Sequence, residues 1–377
     1  MIGRHDGDPR RAGWPAGGAG GGAGAGAGGL PDLPGVLTAR QIADTAEAIV
    51  ACQLPNGAIQ WFPGGHIDPW NHTEAAMGLA VAGRRDEALR AFDWLAATQH
   101  DDGGWHAYYW PDGSIEESRR DTNVSSYVAV GAFHHWRITG DRGFLEDVWP
   151  TVSAAVDFAV AVQQPGGEIL WSYEPPYYAL LTGSSSVFLS LRAALAIASV
   201  LGVERPEWEL AALKLGAALA HRADSAFEPK RPWAMDWYYP VLCGALRGPA
   251  AAERIDERWD EFVLPGFGVR CVSDNEWVTA AETAECVLTL DTLGRTEQAR
   301  RLLTWVQYLR ETDGSYWTGC VHPREVHFPA DEQTTYTAAA MLLAADALAG
   351  LTPAGGLFRG DGLPDIIADP ELLPDPD

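Results

Sequence analysis

Two kinds of predicted helix alternate along the chain, and this alternation restricts the fold more than any other feature of the sequence. One kind is amphipathic, as in "RTEQARRLLTWVQYLR", where Ala299, Leu302, Leu303, Val306 and Leu309 form one apolar stripe at helical spacing. The other kind is apolar on nearly every face, as in "EQTTYTAAAMLLAADALAG". The first kind is suited to covering a core, and the second kind must be buried on all sides.

Six helices of each kind are predicted. The amphipathic helices lie near residues 38–53, 85–99, 141–163, 206–221, 249–260 and 294–310. The apolar helices lie near residues 71–83, 122–136, 183–202, 235–246, 275–294 and 332–350. Strict alternation does not fit a simple bundle, but it closes naturally as an inner ring inside an outer ring. The sequence therefore predicts an all-α (α/α)6 toroid, with a single domain over residues 36–351.

A recurring turn supports the repeat. It occurs in "CQLPNGAIQW", "TQHDDGGWHAYYW", "VQQPGGEILW" and "LRETDGSYW", each time as a helix end, often with Gln, then a Gly-containing turn and then Trp. The fourth and fifth units match this turn poorly, so they are assigned by helix type alone. Because repetition indicates a packing role, the Trp residues of these turns are predicted to belong mostly to the core.

The two ends of the chain differ in composition from the predicted domain. Residues 1–35 are Gly/Ala-rich and residues 352–377 are Pro/Asp-rich, so we expect a disordered arm and a flexible tail outside the core. The start lacks the apolar segment of a signal peptide, and no uncharged apolar run is long enough for a membrane span. The 5 Cys residues are widely spaced, without a metal-type pairing, which is typical of buried thiols in a reducing compartment. A cytoplasmic location is predicted.

The composition excludes some partners and favours others. A net charge of -24 repels phosphate backbones and anionic lipid surfaces, so neither nucleic acid nor a membrane is expected as a partner. The chain contains 16 Trp, and indole rings either fill cores or offer flat faces to sugars, bases and isoprenoids. The oligomeric state is left open by the sequence.

In a toroid of this kind, the loops before the inner helices gather at one end and form the rim of a central cavity. These loops carry carboxylates and aromatic rings, and the candidate site residues are His66, Asp68, Trp70, Asp121, Asn123, Tyr177, Asp236, Trp237, Glu276, Trp277, Glu332 and Tyr336. Sugar C–H faces stack on indole rings, and two opposed carboxylates can act as acid and base on a glycosidic bond. Burial in such a cavity raises the pKa of an acid toward the working pH. The rim therefore predicts a glycoside hydrolase acting on a neutral oligosaccharide or polysaccharide.

The acidic candidates near helix starts also have structural interpretations. Asp68 is the strongest candidate, although an Asp in a Gly-rich loop can also form a turn. Glu276 and Glu74 each follow a capping residue by three positions, so either could complete a capping box. Asp121 could cap its helix or pair with a neighbouring Arg.

Three further acids have no such simple alternative. Asp236 has no obvious capping partner, and burial of a carboxylate without a role would be costly. Glu282 and Glu285 lie inside a predicted buried helix, where one of them could point to the cavity floor.

No metal or cofactor is predicted. His134 and His135 are adjacent on a helix and therefore point apart, while His66 and His72 lack the spacing of a metal site. No nucleophile triad or phosphate-binding motif occurs in the required context.

The Gln, Gly and Trp turns resemble those of the terpene cyclase and protein prenyltransferase superfamily, which shares the toroid. The acidic D-x-D-D and D-D-x-x-D motifs are missing, and no zinc-binding trio can be assembled. This resemblance therefore implies the scaffold alone. A terpene cyclase or prenyltransferase stays an alternative function, as does a non-catalytic glycan-binding toroid.

A closer resemblance covers about residues 36–350 and lies in "HIDPWNHTEAAMGL" and "DNEWVTAAETAECV". In these segments the chain resembles the methylmannose polysaccharide hydrolases of mycobacteria, which are endo-acting α-1,4-mannosidases. The resemblance implies an intracellular, partly 3-O-methylated α-1,4-mannan as the substrate. It also implies a catalytic carboxylate pair, which by position within these two segments would be Asp68 and Glu276.

Overall fold

The inner ring is built from the predicted apolar helices. The structure is a computed structural model that describes residues 32–373, so most of the predicted arm lies outside the described residues. The inner helices are α2 (Pro69–Val81), α4 (Thr122–Ser126) followed by α5 (Val128–Thr139), α7 (Leu181–Leu201), α9 (Ala234–Leu242), α12 (Ala280–Thr292) and α14 (Thr335–Ala349). Each inner helix contacts the next one in the order α2, α5, α7, α9, α12 and α14, and α14 in turn contacts α2. The helices therefore close into a ring.

The outer ring is built from the predicted amphipathic helices. They are α1 (Ala39–Ala51), α3 (Arg85–Thr98), α6 (Arg142–Val160), α8 (Pro206–His221), α10 (Gly248–Glu257) and α13 (Thr296–Trp305), and a single turn, α11 (Trp259–Phe262), follows α10. Short 3₁₀ turns occur at Val306–Leu309 and Pro370–Leu372. The prediction of an all-α (α/α)6 toroid is confirmed.

The burial of the two helix types follows their patterns. Helix α13 buries only Ala299, Leu302 and Leu303, which lie on one face. Helix α14 buries most of its length, because neighbours contact it on every side. Small residues allow this approach, and a Cβ atom on Gly78 of α2 would lie 2.9 Å from the Cα atom of Ala339.

The repeated turns connect each outer helix to the next. The side-chain amide of Gln53 donates to the carbonyl of Gly57 at 3.1 Å and to the carbonyl of Glu87 in α3 at 2.9 Å. Gln99 makes the same pair of hydrogen bonds to its own turn and to α6, and Gln163 makes them to its own turn and to α8. The Gln side chain of each of these turns therefore joins its own turn to the next outer helix by hydrogen bonds.

The last of these turns closes the outer ring. Gly314 has φ 95° and packs so tightly on α1 that a Cβ atom there would lie 2.3 Å from the carbonyl carbon of Asp44. Arg310 takes the place of the Gln and donates to the carbonyl of Gln41 at 3.1 Å. The first and last outer helices are thus joined.

Short strands at the rim were not predicted. A hairpin pairs β1 (Tyr108–Tyr109) with β2 (Ile115–Glu117). An antiparallel sheet in chain order contains β3 (Val263–Leu264), β4 (Gly268–Arg270), β5 (Trp277–Thr279), β6 (Gly319–Val321) and β7 (Val326–His327). The predicted helix over 275–294 is therefore wrong at its start, because residues 277–279 pair with β6 and α12 begins at Ala280.

The segment after residue 352 differs from the flexible tail predicted above. Leu357, Phe358 and Leu363 are buried against the ring, and Arg359 pairs with Asp291 near the end of α12. The composition is Pro/Asp-rich, but these four residues supply an apolar cluster and a charge partner. The segment therefore covers the end of the inner ring that lies opposite the rim.

The longest inner helix passes a simple hydropathy test. Within residues 32–373, α7 alone is long and apolar enough to cross a bilayer, and 83% of its most apolar window is buried inside the toroid. Its apolar character on all faces is what the inner ring requires.

Candidate active site

Asp68 lies at the mouth of the inner ring, where it begins α2. Its Oδ1 atom accepts a hydrogen bond from the backbone N–H of Asn71 at 2.9 Å, so the carboxylate caps the helix. Its Oδ2 atom accepts from Nε1 of Trp61 at 2.6 Å and from Nδ2 of Asn71 at 2.7 Å. Burial raises the pKa of Asp68, and these hydrogen bonds offset only part of the rise. Asp68 therefore caps the helix, and it also places a buried carboxyl group at the rim.

Aromatic rings surround this carboxyl. The Trp61 ring lies 4.3 Å from the His66 ring and 4.9 Å from the Tyr336 ring, in edge contacts. Tyr108 of β1 lies 4.6 Å from His66, because backbone hydrogen bonds between Ile67 and the hairpin hold the two segments together. Nδ1 of His66 is 3.2 Å from a carboxylate oxygen of Glu116 in β2.

A second carboxyl group, that of Glu282, lies in the first turn of α12. Burial raises the pKa of the Tyr336 hydroxyl, and the negative charges of Glu282 and Asp68 raise it further. Both carboxyl groups therefore act electrostatically on the same phenol, although they come from the fifth and first units. The buried thiol of Cys271 donates to Oε1 of Glu282 at 3.1 Å.

Beneath this level, polar groups of several inner helices meet at the ring axis. The rings of Trp70 and Tyr127 stack at 4.2 Å, and Nε1 of Trp70 donates to Oγ of Ser186 at 3.2 Å. Glu74 and Glu285 line the same small cavity. Burial raises the pKa of both carboxyls, and for Glu74 the charges of Glu285 and Asp68 add to the rise. The capping-box interpretation of Glu74 is therefore wrong, since its side chain faces the cavity.

Glu276 is not buried in the cavity, whereas we expected burial of a catalytic acid. Its side chain is 51% exposed, and both oxygens lie 3.2 Å from a guanidinium nitrogen of Arg270. The predicted capping box is also absent, because α12 starts at Ala280 and residue 276 precedes a strand. The assignment of Glu276 to a buried catalytic pair is thus not supported by its surroundings.

The structure separates the three Trp residues that were candidates for sugar stacking. Trp237 is fully buried, donates to the carbonyl of Arg254 at 3.0 Å and stacks on Phe262 at 5.0 Å. Its predicted role in substrate binding is therefore wrong, because no face of the ring is open. Trp277 is half-buried beside Phe328, and Trp70 lines the axial cavity.

The candidates of the second, third and fourth units lie along other parts of the rim. Asp121 caps α4 through Val124, as its structural interpretation predicted, and burial raises its pKa to about 6. Within the described chain, the Oδ1 atom of Asn123 is buried without a hydrogen-bond partner. Asp236 accepts from Oγ1 of Thr182 at 2.7 Å.

Two further candidates, Tyr177 and Glu332, differ in their surroundings. Tyr177 is 63% exposed on the rim. Glu332 lies near His66, whose charge opposes the burial that raises the pKa of this carboxyl. Of the two, Glu332 belongs with the cluster around Asp68.

Tyr108 was not among the candidates drawn from the sequence, whereas Glu74, Glu282 and Glu285 were considered there without being assigned to the site. Tyr108 carried no signal, because the hairpin that brings it to His66 was not predicted. The paired acids did carry one. Glu74 follows Trp70 by four residues and Glu285 follows Glu282 by three, and such spacings place side chains on one face of a helix.

Metal binding finds no support in the arrangement. Residues 32–373 contain no group of three His, Cys, Asp or Glu side chains that could hold a metal ion. The expectation of a cofactor-free protein stays a prediction.

Comparison with known proteins identifies the family. MMP endo-(1,4)-3-O-methyl-alpha-D-mannosidase of Mycolicibacterium hassiacum is 51% identical over 338 residues, which cover 89% of this chain and 93% of that relative. The chain belongs to this mannosidase family. It is a glycoside hydrolase, as the rim predicted, and the resemblance drawn from the sequence is confirmed. No protein-family model matches the chain.

Solved structures show that the mannosidase family shares its fold with other glycosidases. A wild-type glycosidase has a TM-score of 0.68 at 14% identity, covering 83% of this chain and 97% of its own. The GH63 mannosylglycerate hydrolase from Thermus thermophilus in complex with glucose has a TM-score of 0.63 at 13% identity, covering 81% and 99%. Membership of the mannosidase family favours hydrolysis over the terpene cyclase, prenyltransferase and non-catalytic alternatives.

Proposed function

We propose that this chain hydrolyses internal α-1,4-mannosidic bonds of a 3-O-methylated mannan. The relative that is 51% identical bears the name of an endo-acting (1,4)-3-O-methyl-α-D-mannosidase. The rim supports the same class of substrate, because it combines carboxyl groups with exposed apolar side chains such as Tyr177, Trp233 and Phe328. Flat apolar faces suit the C–H and methyl groups of an uncharged sugar chain. The 5 buried, unpaired thiols support a cytoplasmic location as part of the proposal.

We assign the catalytic pair to Asp68 and Glu282. The observation that carries this assignment is that both carboxyl groups lie at the mouth of the inner ring, at the starts of α2 and α12, and act electrostatically on the Tyr336 hydroxyl. A sugar between two such groups is exposed to an acid and a base from opposite sides.

Asp68 is the general acid in this proposal. Its raised pKa keeps a proton available, and we place this proton on Oδ1, which accepts one hydrogen bond, rather than on Oδ2, which accepts two. The proton passes to the glycosidic oxygen as the bond to C1 breaks. The same N–H donors then stabilise the carboxylate that is left behind.

Glu282 is the general base. It takes one proton from a water molecule while the oxygen of that water forms a bond to C1. The bond between C1 and the leaving oxygen breaks in the same step, so proton and charge balance across the two carboxyl groups. Cys271 fixes the orientation of Glu282, since its thiol donates to Oε1.

The remaining candidates are assigned to sugar binding. His66, Trp70, Glu332 and Tyr336 surround the pair, and we place the sugar units next to the cleaved bond against them. The rim residues of other units, Asp121, Asn123, Tyr177 and Asp236, are placed along the path of the neighbouring sugar units, and Trp277 beside Phe328 extends that path.

The test uses α-1,4-linked 3-O-methylmannose oligosaccharides and mass analysis of the products. The wild type should give shorter internal fragments, and Asp68→Asn and Glu282→Gln should each lower kcat by roughly 10²–10⁴-fold. Glu276→Gln is the matched control, because it makes the same chemical change on an exposed side chain and should leave kcat nearly unchanged. An inactive Glu276→Gln with an active Glu282→Gln would transfer the base to Glu276. Intact oligosaccharide with the wild type would refute the substrate.

A further inference from the structure

The cavity floor holds a second pair of carboxyl groups that the proposed mechanism does not use. Glu74 lies on α2 beneath Asp68, and Glu285 lies on α12 beneath Glu282. Glu74 lies six positions after Asp68, an axial distance of about 9 Å. Its side chain lines the floor cavity together with Trp70, which lies one helical turn nearer the mouth. The four acids therefore form two levels, one at the mouth and one at the floor.

Glu285 is held by the protein itself. The hydroxyl of Tyr239 donates to Oε1 at 2.5 Å, and the hydroxyl of Tyr238 donates to Oε2. Both oxygens thus have a donor before any ligand arrives. Glu285 therefore has little capacity left to bind a sugar hydroxyl.

The carboxyl group of Glu74, unlike that of Glu285, has no donor from the described part of the chain. Its side chain is buried, with 4% of the residue exposed, and it makes no side-chain hydrogen bond within residues 32–373. A carboxyl group buried in this way is costly unless a partner enters the cavity. Glu74 is therefore a polar group directed at an occupant that the chain does not provide.

The neighbours of Glu74 determine which form of the acid is present. Glu285 of α12 and Asp68 at the start of α2 act on it electrostatically, and Tyr127 and Tyr239 face the same cavity, as do the thiol of Cys243 and the hydroxyl of Ser186. None of these groups carries a positive charge. Burial and the two carboxyl groups raise the pKa of Glu74, so the neutral acid is present and can donate its O–H.

The size of the floor restricts the occupant to one small group. The free space is about 10 Å³, which is close to what one water molecule requires. A sugar ring does not fit, but the exocyclic arm of a ring held above Trp70, which lines the cavity one helical turn before Glu74, can reach into it. In a hexose the longest such arm is the hydroxymethyl group on C5, whose oxygen accepts hydrogen bonds.

We propose that the floor is a binding site for the hydroxymethyl group of the mannose unit at the cleaved bond, with the O–H of Glu74 donating to O6. The stacked rings of Trp70 and Tyr127 pack against the methylene of this group. The site selects hexoses over pentoses, because a pentose has no hydroxymethyl group to place in it. The inference rests on the proposed function for its choice of mannose.

The experiment measures binding by tryptophan fluorescence, with methyl α-D-mannopyranoside and methyl α-D-lyxopyranoside as ligands. The lyxoside is the mannoside without its hydroxymethyl group. Glu74→Leu removes the donor and should weaken mannoside binding by roughly 10-fold, while lyxoside binding stays unchanged. Glu74→Gln retains an N–H donor and should bind the mannoside nearly as the wild type does.

A second readout uses pH. Mannoside binding by the wild type should weaken as alkaline pH ionises Glu74, and this loss should be absent in Glu74→Gln. The inference is overturned if Glu74→Leu binds both glycosides as the wild type does, if it loses both equally, or if the wild type binds neither. Because no turnover is measured, failure of methylmannan hydrolysis with a selective Glu74→Leu effect would refute the proposed function alone.

Discussion

The thiol of Cys271 donates a hydrogen bond to Oε1 of Glu282 across 3.1 Å, from the end of strand β4 to the first turn of α12. Burial and the neighbouring Glu282 charge raise the pKa of this thiol, so it stays protonated and serves as a donor. A catalytic base held from one side keeps its other oxygen directed at water.

We therefore expect Cys271→Ala to lower kcat by roughly 2–10-fold, which is the effect of one weak hydrogen bond. Cys271→Ser retains a donor and should restore kcat. The control is Cys52→Ala, which removes another buried thiol at the end of outer helix α1. A kcat in Cys271→Ala equal to that of the wild type would show that the thiol contributes packing alone.

Direct attack of a water molecule on C1 fixes the stereochemistry of the product. If Glu282 activates water and no covalent sugar–enzyme bond forms, the configuration inverts and the first product is the β-anomer. Proton NMR during the first minutes of hydrolysis, before the sugar mutarotates, distinguishes the anomers. An initial α-anomer would instead make one carboxylate a nucleophile.

Ring closure depends on Gly314. Gly314→Ala adds a Cβ atom 2.3 Å from the carbonyl carbon of Asp44, in backbone that cannot move away without displacing α1. We expect a loss of about 3 kcal/mol or more in the free energy of unfolding. Gly294→Ala is the control, since its φ of 68° is also positive but a Cβ atom there meets open space. It should cost only about 1–2 kcal/mol. Equal losses in urea unfolding would contradict a special role for the closing turn.

Stability should depend on pH through Asp346. Burial raises the pKa of this carboxyl to about 6, despite hydrogen bonds from Thr352. The unfolded value is about 3.9, so between pH ~4 and ~6 the native state binds more protons than the unfolded state. The contribution of Asp346 to the free energy of unfolding therefore falls as pH rises through this window, by about 1–3 kcal/mol in total.

Asp346→Asn should remove that contribution and flatten the slope of stability against pH. Asp101→Asn, an exposed change of the same kind, should leave the slope as it is. The measurement is guanidinium unfolding at several pH values from 4 to 7. Identical slopes in Asp346→Asn and the wild type would contradict the prediction.

The ring of helices was predictable because each helix type carries its own hydrophobic pattern. Helix α7 is apolar on every face and α13 on one, and the toroid follows from their alternation. The rim strands were not predictable, because runs of two or three residues are too short to show an alternating pattern. Their pairing joins segments that lie up to 44 residues apart, such as Trp277 of β5 and Val321 of β6.

One error in the site follows from that missed sheet. Glu276 was placed at a helix start, but residues 277–279 are a strand, and the helix that carries the cavity acids begins at Ala280. A second error has a different cause. Trp237 was assigned to the substrate because it lies outside the repeated turns, yet its indole N–H donates to the carbonyl of Arg254, 17 residues away. Asp68 was identified correctly as a rim residue because the Gly-rich loop and Pro69 mark the start of α2.

The contacts that close the ring bridge almost the whole chain. Thr335 donates to the carbonyl of Gln60 across 275 positions, and Arg310 reaches Gln41 across 269. During synthesis on the ribosome, the first inner helices are apolar on every side and cannot be fully buried until the final unit has emerged and packed against them. A prematurely terminated product would leave these apolar surfaces exposed to solvent and to other copies of itself. We therefore expect it to be bound by chaperones or degraded by proteases, rather than to be a less active enzyme.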